Sequence, residues 1–130
     1  MATSPSSPDY LPAPGALAPV AAALLPLDPL IRYVAVNQQG RITEMTQRIP
    51  SHNPAVTDQL EELIVNPAVL NLAQRRGDLD LGGAPWVLIR YGLQYQLLVP
   101  HKDGHVSIGL ELEADVVRLA TRVAERLGKM

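Results

Sequence analysis

Alternating apolar and polar positions predict strands in two parts of the chain. The strictest alternation lies at residues 105–111, where Val106, Ile108 and Leu110 are separated by polar or small residues. A period of two is typical of a strand with one buried face. β-prone runs predict four more strands, at 33–36, 41–46, 86–91 and 94–99. Turn residues join these strands into a hairpin and a three-stranded meander, at Asn37–Gly40, Gly92-Leu93 and Asp103-Gly104.

Helical periodicity predicts a helix on either side of these strands. Five apolar residues recur at helical spacing near the C-terminus: Val116, Leu119, Ala120, Val123 and Leu127. We therefore expect an amphipathic helix that begins near Glu113 and is capped by Gly128. The segment Ala16–Leu25 is rich in Ala and Leu and is bounded by Pro26, which predicts a short first helix.

A duplicated phrase marks the middle of the chain. Asn53-Pro54-Ala55-Val56 recurs as Asn66-Pro67-Ala68-Val69, and Asn followed by Pro is a helix-start signal. The two starts predict either two consecutive short helices or one helix that is kinked at Pro67. Gly77 is the expected C-cap, and residues 78–85 are expected to form a loop. Apolar residues at helical spacing share one face of each helix: Val56, Leu60, Leu63 and Ile64 in the first, and Val69, Leu72 and Ala73 in the second.

The resulting element order, α-β-β-α-β-β-β-α, predicts an α+β fold. The hairpin and the meander can join into a single five-stranded antiparallel sheet whose apolar face is covered by helices. Because His105, Ser107 and Glu111 make the other face of the last strand mostly polar, we expect the helices on the opposite face. Residues 16–128 are the expected domain, and the Pro/Ser-rich residues 1–15 are an expected disordered tail.

Composition and charge exclude several functional classes. The 130 residues carry 11 Lys and Arg against 13 Asp and Glu, which argues against a general nucleic-acid binder. The absence of cysteine excludes disulfides and thiolate chemistry. The first basic residue is Arg32, and the apolar run Val20–Leu25 is too short to span a bilayer. We therefore expect a cytoplasmic protein with no membrane span.

The polar residues suggest little chemistry. His101, Asp103 and His105 surround one predicted turn, where a metal site is conceivable, but solvated turn residues are the better interpretation. A triad of His105, Asp103 and Ser107 lacks a nucleophile elbow. Glu61 and Glu62 are interpreted as a solvated helix face, and the segment 78–85 matches no phosphate-binding motif. We expect no catalytic residue, cofactor or metal, and hence no enzyme.

Cationic and aromatic residues are the remaining candidates for binding. Arg75-Arg76 is expected at the end of the second short helix, where cations stabilise free carbonyls. Arg118, Arg122 and Arg126 recur every four residues on the last helix, as either a solvated face or a contact to an acidic partner. Trp86, Tyr91 and Tyr95 lie on neighbouring predicted strands and favour a core or dimer-interface role. An RNA contact is a further alternative for the three arginines, and a pocket for a planar ligand is one for the aromatic residues.

Two segments resemble the roadblock/LC7 family, a branch of the profilin-like sheet proteins. Residues 33–42, Tyr-Val-Ala-Val-Asn-Gln-Gln-Gly-Arg-Ile, resemble the family's opening strand–turn–strand, and residues 105–110 with the final helix resemble its closing elements. The resemblance covers roughly residues 17–127. It departs at Pro67, because the family usually has one longer middle helix. Members commonly pair through that helix and an adjacent strand.

The resemblance implies a non-catalytic dimeric interaction module. Such a module scaffolds a multiprotein complex or regulates a small Ras-like GTPase, and it pairs with itself or with a related roadblock-like subunit. The alternative is a small-molecule sensor of the PAS or GAF type, with a cavity lined partly by Trp86 and Tyr95. The expected partner or dimer-interface residues are Leu60, Leu63, Ile64, Trp86, Tyr91, Tyr95, Arg118 and Arg122.

Overall fold

The computed structural model describes residues 18–48 and 59–130. Its helices are α1 (Pro19–Leu24), which continues into a 3-10 turn (Leu25–Leu27), α2 (59–80) and α3 (Val116–Gly128). Its strands are β1 (Ile31–Gln38), β2 (Arg41–Gln47), β3 (Val87–Arg90), β4 (Tyr95–His101) and β5 (Gly104–Leu110). The expected tail, 1–15, and the first Asn-Pro phrase with Val56 lie outside the described residues.

All five strands form one antiparallel sheet in the order β2-β1-β5-β4-β3. The hairpin and the meander join where β1 pairs with β5, with Val34 opposite Ile108. β2 and β3 are consequently the two edge strands. The predicted α+β fold with a single five-stranded antiparallel sheet is confirmed.

One face of the sheet carries the hydrophobic core. Inward-facing side chains of β1, β4 and β5 pack beneath α1 and α3, as the alternation predicted. α3 begins at Val116 rather than near Glu113, because Ala114 is still in a turn and donates its N–H to the Glu111 carbonyl at 3.1 Å. The core residues on the sheet and helices include Leu24, Ile31, Val34, Val36, Leu97, Val99, Val106, Ile108, Leu110, Leu119, Val123 and Leu127.

The other face of the sheet is also covered, which corrects the expectation that helices occupy one side only. α2 lies on this face, and His105 and Ser107 of β5 are buried beneath it. Glu62, which was interpreted as part of a solvated helix face, is buried as well. Polar side chains can be buried when they find hydrogen-bond partners, so a polar strand face does not by itself indicate exposure to solvent.

α2 is a single helix that passes through Pro67, so of the two alternatives the pair of consecutive short helices is wrong. Its residues Glu61–Val65 form a π-helical turn, in which the Asn66 N–H donates to the Glu61 carbonyl five residues earlier. Pro67 has no N–H to offer the Leu63 carbonyl and crowds it sterically. The wider π turn directly before the proline accommodates this mismatch. The predicted capping role of Asn66 is wrong, because its side chain makes no cap hydrogen bond.

Gly77 does not end α2, as was expected, because the helix continues to Asp80. A Cβ on Gly77 would lie 2.7 Å from the Gly83 carbonyl oxygen, so the glycine permits the following loop to fold back on the helix. Asp78 and Asp80 are therefore helical rather than in a loop. Arg76 lies within the helix and pairs with Asp80 at 2.5 Å instead of capping the helix end.

The hairpin turns are tighter than predicted. The β1–β2 turn consists of Gln39 and Gly40, with φ values of 54° and 78°. The β4–β5 turn is Lys102-Asp103, with a φ of 54° at Lys102. Gly104 is already in β5, where a Cβ would lie 1.8 Å from the carbonyl oxygen of Asn37. Gly104 is thus required for close strand packing rather than for the turn.

Candidate interaction surface on α2

The side of α2 that faces the sheet is unusually polar. Its buried residues are Glu62, Asn66, Leu70 and Gly77, at spacings of four, four and seven, which place them on one side of a helix. Glu62 and Asn66 are only 1% and 0% exposed. An ordinary surface helix would direct apolar side chains to such positions.

The solvent-exposed part of α2 carries large apolar side chains among polar ones such as Asn71 and Arg75. We call these apolar residues the outer row, and their exposed fractions lie between 39% and 80%: Leu60, Leu63, Ile64, Leu72 and Leu79. An isolated exposed leucine needs no explanation, but several exposed apolar side chains along one helix form a candidate interaction surface. α2 therefore has an inverted polarity at these positions, because Glu62 and Asn66 face the sheet while the outer row faces solvent.

Hydrogen bonds connect the polar side of α2 to β5. The Asn66 amide donates to Ser107 Oγ at 3.4 Å. His105 Nε2 lies 3.4 Å from Glu62 Oε1, and both side chains are buried. The Glu62 carbonyl accepts a hydrogen bond of 3.0 Å from the Asn37 side chain of β1. These contacts attach the first turns of α2 to the centre of the sheet.

A second set of contacts extends this polar layer across the sheet. Gln96 donates its amide to Ser107 Oγ and accepts a 2.6 Å hydrogen bond from the Tyr33 hydroxyl. Burial raises the pKa of Tyr33 far above its ordinary value, and the negative charge of Glu62 raises it further. The phenol therefore stays neutral and donates. Among the described residues, Asn66 Oδ1 and Gln47 Oε1 are buried without a hydrogen-bond partner.

The edge strand β3 is a second candidate for contact with another chain. Its inner edge pairs with β4, while its outer edge lies at the end of the sheet. An unpaired strand edge presents backbone donors and acceptors to an additional strand. Val87 and Ile89 point to the α2 side, because Leu88 packs against the core on the other side.

The structure separates the eight predicted interface residues into two groups on opposite faces. Leu60, Leu63, Ile64 and Tyr91 belong to the α2 side. Tyr91 is partly exposed, and burial together with the nearby Glu61 carboxylate raises its pKa. Four predicted residues are therefore brought together.

The other four predicted residues lie on the side of α1 and α3. Trp86 and Tyr95 are half-buried against the main core, and the Arg90 guanidinium lies 5.7 Å from the centre of the Tyr95 ring. Arg118 is exposed on α3, whereas Arg122 donates to the Leu27 carbonyl at 3.5 Å.

Sequence reasoning missed part of this surface. Leu72 was placed on one face of a separate short helix but not among the interface residues, and Leu79 was placed in a loop, yet both are exposed on α2. The spacing of Ile64, Leu72 and Leu79 is compatible with one side of a continuous helix, and this signal was obscured by the expected break at Pro67.

The interpretation of His101 and His105 as solvated turn residues is wrong, because both are buried in strands, and the alternative metal cluster does not assemble either. His101 lies on the core side of β4 and His105 on the α2 side of β5, so the two rings face opposite ways. Burial lowers the pKa of His101, and the charge of Lys102 lowers it further. Within residues 18–48 and 59–130, no group of His, Asp and Glu side chains is arranged to hold a metal.

A groove of about 470 Å³ lies between the end of β4 and the C-terminal end of α3. It opens to solvent, and its lining includes Val99, His101, Ala124 and Leu127. Neither Trp86 nor Tyr95 lines it, in contrast to the cavity that a sensor domain would require. No helix in the described part of the chain is both long and apolar enough to cross a membrane.

Comparison with solved structures gives clear likenesses. A roadblock/LC7 domain from Streptomyces avermitilis matches with a TM-score of 0.65 and 13% identity, over 85% of this chain and 90% of that one. MglB in a tetrameric arrangement matches with a TM-score of 0.63 and 12% identity, over 85% of each chain. The gliding protein MglB from Thermus thermophilus gives 0.61 and 13%, over 85% of this chain and 86% of that one.

Neither a protein-family model nor a curated protein matches the chain by sequence. The structural likenesses nevertheless span most of both chains in each comparison. They show that the chain has the roadblock/LC7-like fold, as its opening and closing segments suggested.

Proposed function

We propose that this roadblock/LC7-like domain is a non-catalytic interaction module that dimerises through the outer row of α2 and the free edge of β3. The inverted polarity of α2 carries the proposal. α2 buries Glu62 and Asn66 and exposes Leu72 and Leu79. Contact of the leucine side chains with water is unfavourable, and a partner that covers them removes this unfavourable contact.

The size of the outer row fits a moderate dimer. Complete burial of an aliphatic side chain contributes about 1.5–3 kcal/mol, so the exposed fractions of the row amount to roughly 5–9 kcal/mol per copy. Association itself costs an estimated 4–15 kcal/mol or more. The leucines of two copies therefore offset this cost only if their packing is good, and additional contacts are needed for high affinity.

Pairing of two β3 edges supplies such contacts. Two antiparallel β3 strands would exchange backbone hydrogen bonds and extend the sheet from one copy into the next. Val87 and Ile89 lie on the α2 side of this edge and would lengthen the apolar contact. The proposed interface thus combines helix packing with strand pairing, and the partner is a second copy or a related roadblock-like subunit.

Solution mass across a concentration series tests the dimer. The chain has a mass of 14.1 kDa, and we expect a mass near twice that value. Leu72→Glu places a charge in the outer row and should give a monomer that is still folded. Val117→Glu is the matched control, because Val117 is a similarly exposed apolar residue on α3, away from the proposed interface.

A monomer at every concentration in the unsubstituted protein would refute the dimer. Dimerisation of the Leu72→Glu protein as strong as that of Val117→Glu would place the interface elsewhere. The circular dichroism spectra of both variants must match that of the unsubstituted protein. A loss of dimer in the Leu72→Glu protein then cannot be explained by a loss of fold.

The proposed cellular role is the scaffolding of a complex or the regulation of a small Ras-like GTPase in the cytoplasm. Support comes from the likeness to roadblock/LC7 and MglB folds and from the exposed Arg118, which stays accessible on α3 when α2 is covered. Calorimetric titration with a small Ras-like GTPase of the same organism tests this role. We expect binding that differs between the GDP and GTP-analogue states. Equal affinity for both states, or no binding to either, would refute the regulation of a GTPase but not the scaffolding role.

A further inference from the structure

The leucines of α2 could in principle be buried within a single copy of the chain. A rotation of α2 by about half a turn would direct Leu60, Ile64 and Leu72 toward the sheet and Glu62 and Asn66 toward solvent. Such a rotation would exchange the buried Leu70 for these residues, and the hydrophobic effect is not directional, so apolar contacts alone do not select the observed rotation. Something else holds the leucines outside.

Polar side chains of the sheet beneath α2 oppose this rotation. Gln96, His105 and Ser107 are nearly or completely buried, and each has a hydrogen-bond partner in the observed arrangement. If leucine side chains occupied the positions of Glu62 and Asn66 against the sheet, His105 would lose its hydrogen-bond partner and would be buried without one. An unpaired buried polar group costs more than a satisfied hydrogen bond contributes.

We propose that the Glu62–His105 pair and the Asn66–Ser107 hydrogen bond fix the rotation of α2 about its axis and thereby select the side chains that α2 presents to a partner. The residues act as positioning residues, since they contact the sheet and not the partner. The consequence for partner binding rests on the proposed function, whereas the rotation is a property of the single chain.

The geometry of the two contacts suits this role. Glu62 and Asn66 are one helical turn apart, so each limits the rotation that the other would allow. The Asn37 side chain holds the Glu62 carbonyl at 3.0 Å and fixes the position of the π turn along the sheet. Hydrogen bonds are directional, which gives this layer the angular selectivity that apolar packing lacks.

The absence of cysteine permits a direct measurement of the rotation. Leu72 is 67% exposed and Leu70 is 5% exposed, and the two residues lie on opposite sides of α2. Separate Leu72→Cys and Leu70→Cys variants are treated with a thiol reagent at protein concentrations low enough to keep the chain monomeric. We expect the Leu72→Cys thiol to react about tenfold faster or more, because a buried thiol reacts only after local opening.

The same pair of cysteine variants is then made with Glu62→Met and His105→Met together. This change removes both members of the pair together and leaves neither polar side chain buried without its partner, so the domain should stay folded. We expect the ratio of the two labelling rates to fall about threefold or more, as α2 samples further rotations. Leu98→Met is the matched control, because it exchanges a buried apolar residue on the same sheet face.

Each result decides the proposal. An unchanged labelling ratio in the folded Glu62→Met/His105→Met protein overturns it, and so does a loss of cooperative unfolding, since the pair would then be needed for folding itself. Glu62→Gln keeps a hydrogen-bond acceptor and should retain the ratio. The dimer is measured separately by sedimentation: a monomeric parent protein refutes the proposed function while the labelling ratio still reports on the rotation.

Discussion

Substitution of Gly109 by alanine tests whether the polar layer beneath α2 depends on the position of Tyr33. A Cβ on Gly109 would lie 2.3 Å from Tyr33 Cε2, whereas carbon atoms in contact are normally about 3.5–4.0 Å apart. The ring must therefore move. Because its hydroxyl donates to Gln96 at 2.6 Å, the movement also breaks that hydrogen bond.

The expected loss of stability follows from these two effects. Overpacking of a buried site costs about 1–3 kcal/mol. The lost hydrogen bond adds about 0.5–1.5 kcal/mol to this cost. Alanine lowers the conformational entropy of the unfolded chain relative to glycine, which stabilises the folded state by about 0.5–1 kcal/mol. We expect Gly109→Ala to lower the free energy of unfolding by about 2–3 kcal/mol, which corresponds to a fall of roughly 10 °C in Tm for a domain of this size.

Urea unfolding followed by circular dichroism measures this change. Gly92→Ala is the control, because a Cβ there meets no atom within 4 Å and should change the free energy of unfolding by less than about 0.5 kcal/mol. In a Tyr33→Leu background, Gly109→Ala should cost less than half as much. An equal cost in both backgrounds would show that the clash with Tyr33 is not the cause.

Two further predictions concern the β4–β5 hairpin. Gly104→Ala should reduce the free energy of unfolding by more than about 3 kcal/mol, because its Cβ would lie 1.8 Å from the Asn37 carbonyl oxygen. Gly128→Ala is the control: a Cβ there meets no atom within 4 Å, so the same urea titration should show no change. His101 has a lowered pKa in the folded protein, so the unfolded chain binds more protons and stability should fall as the pH drops from 7 to 5. His101→Gln should make this pH profile flatter, and a profile identical to that of the unsubstituted protein would contradict the reasoning.

The architecture was accessible from the sequence because local patterns decide it. The alternation at Val106, Ile108 and Leu110 identifies a strand face that is buried in the core, and the apolar spacing of α3 identifies its buried side. Glycine and polar turn residues placed the connections to within a few residues. These signals are local in the chain, and the sheet topology with short connections follows from them.

The middle of the chain was harder to predict because a local rule was overridden there. Asn66-Pro67 is a good helix start in isolation, but the π turn at Glu61–Val65 lets one helix pass through it, and the Asn66 side chain bonds to Ser107 instead of capping. A contact between residues 41 positions apart has no signature in the flanking sequence. Gly77 was misread for a similar reason, as its close contact with Gly83 depends on the path of the loop.

The sequence by itself determined the strands, the amphipathic α3 and the presence of leucines at helical spacing in α2. Only the tertiary structure decided that these leucines face outward and that Glu62 and Asn66 face the sheet. Burial depends on both surfaces that meet, and the polar face of β5 selects the polar side of α2 because hydrogen-bond partners are needed there. Periodicity shows which residues share a side of a helix, whereas the neighbouring element determines which side is inside.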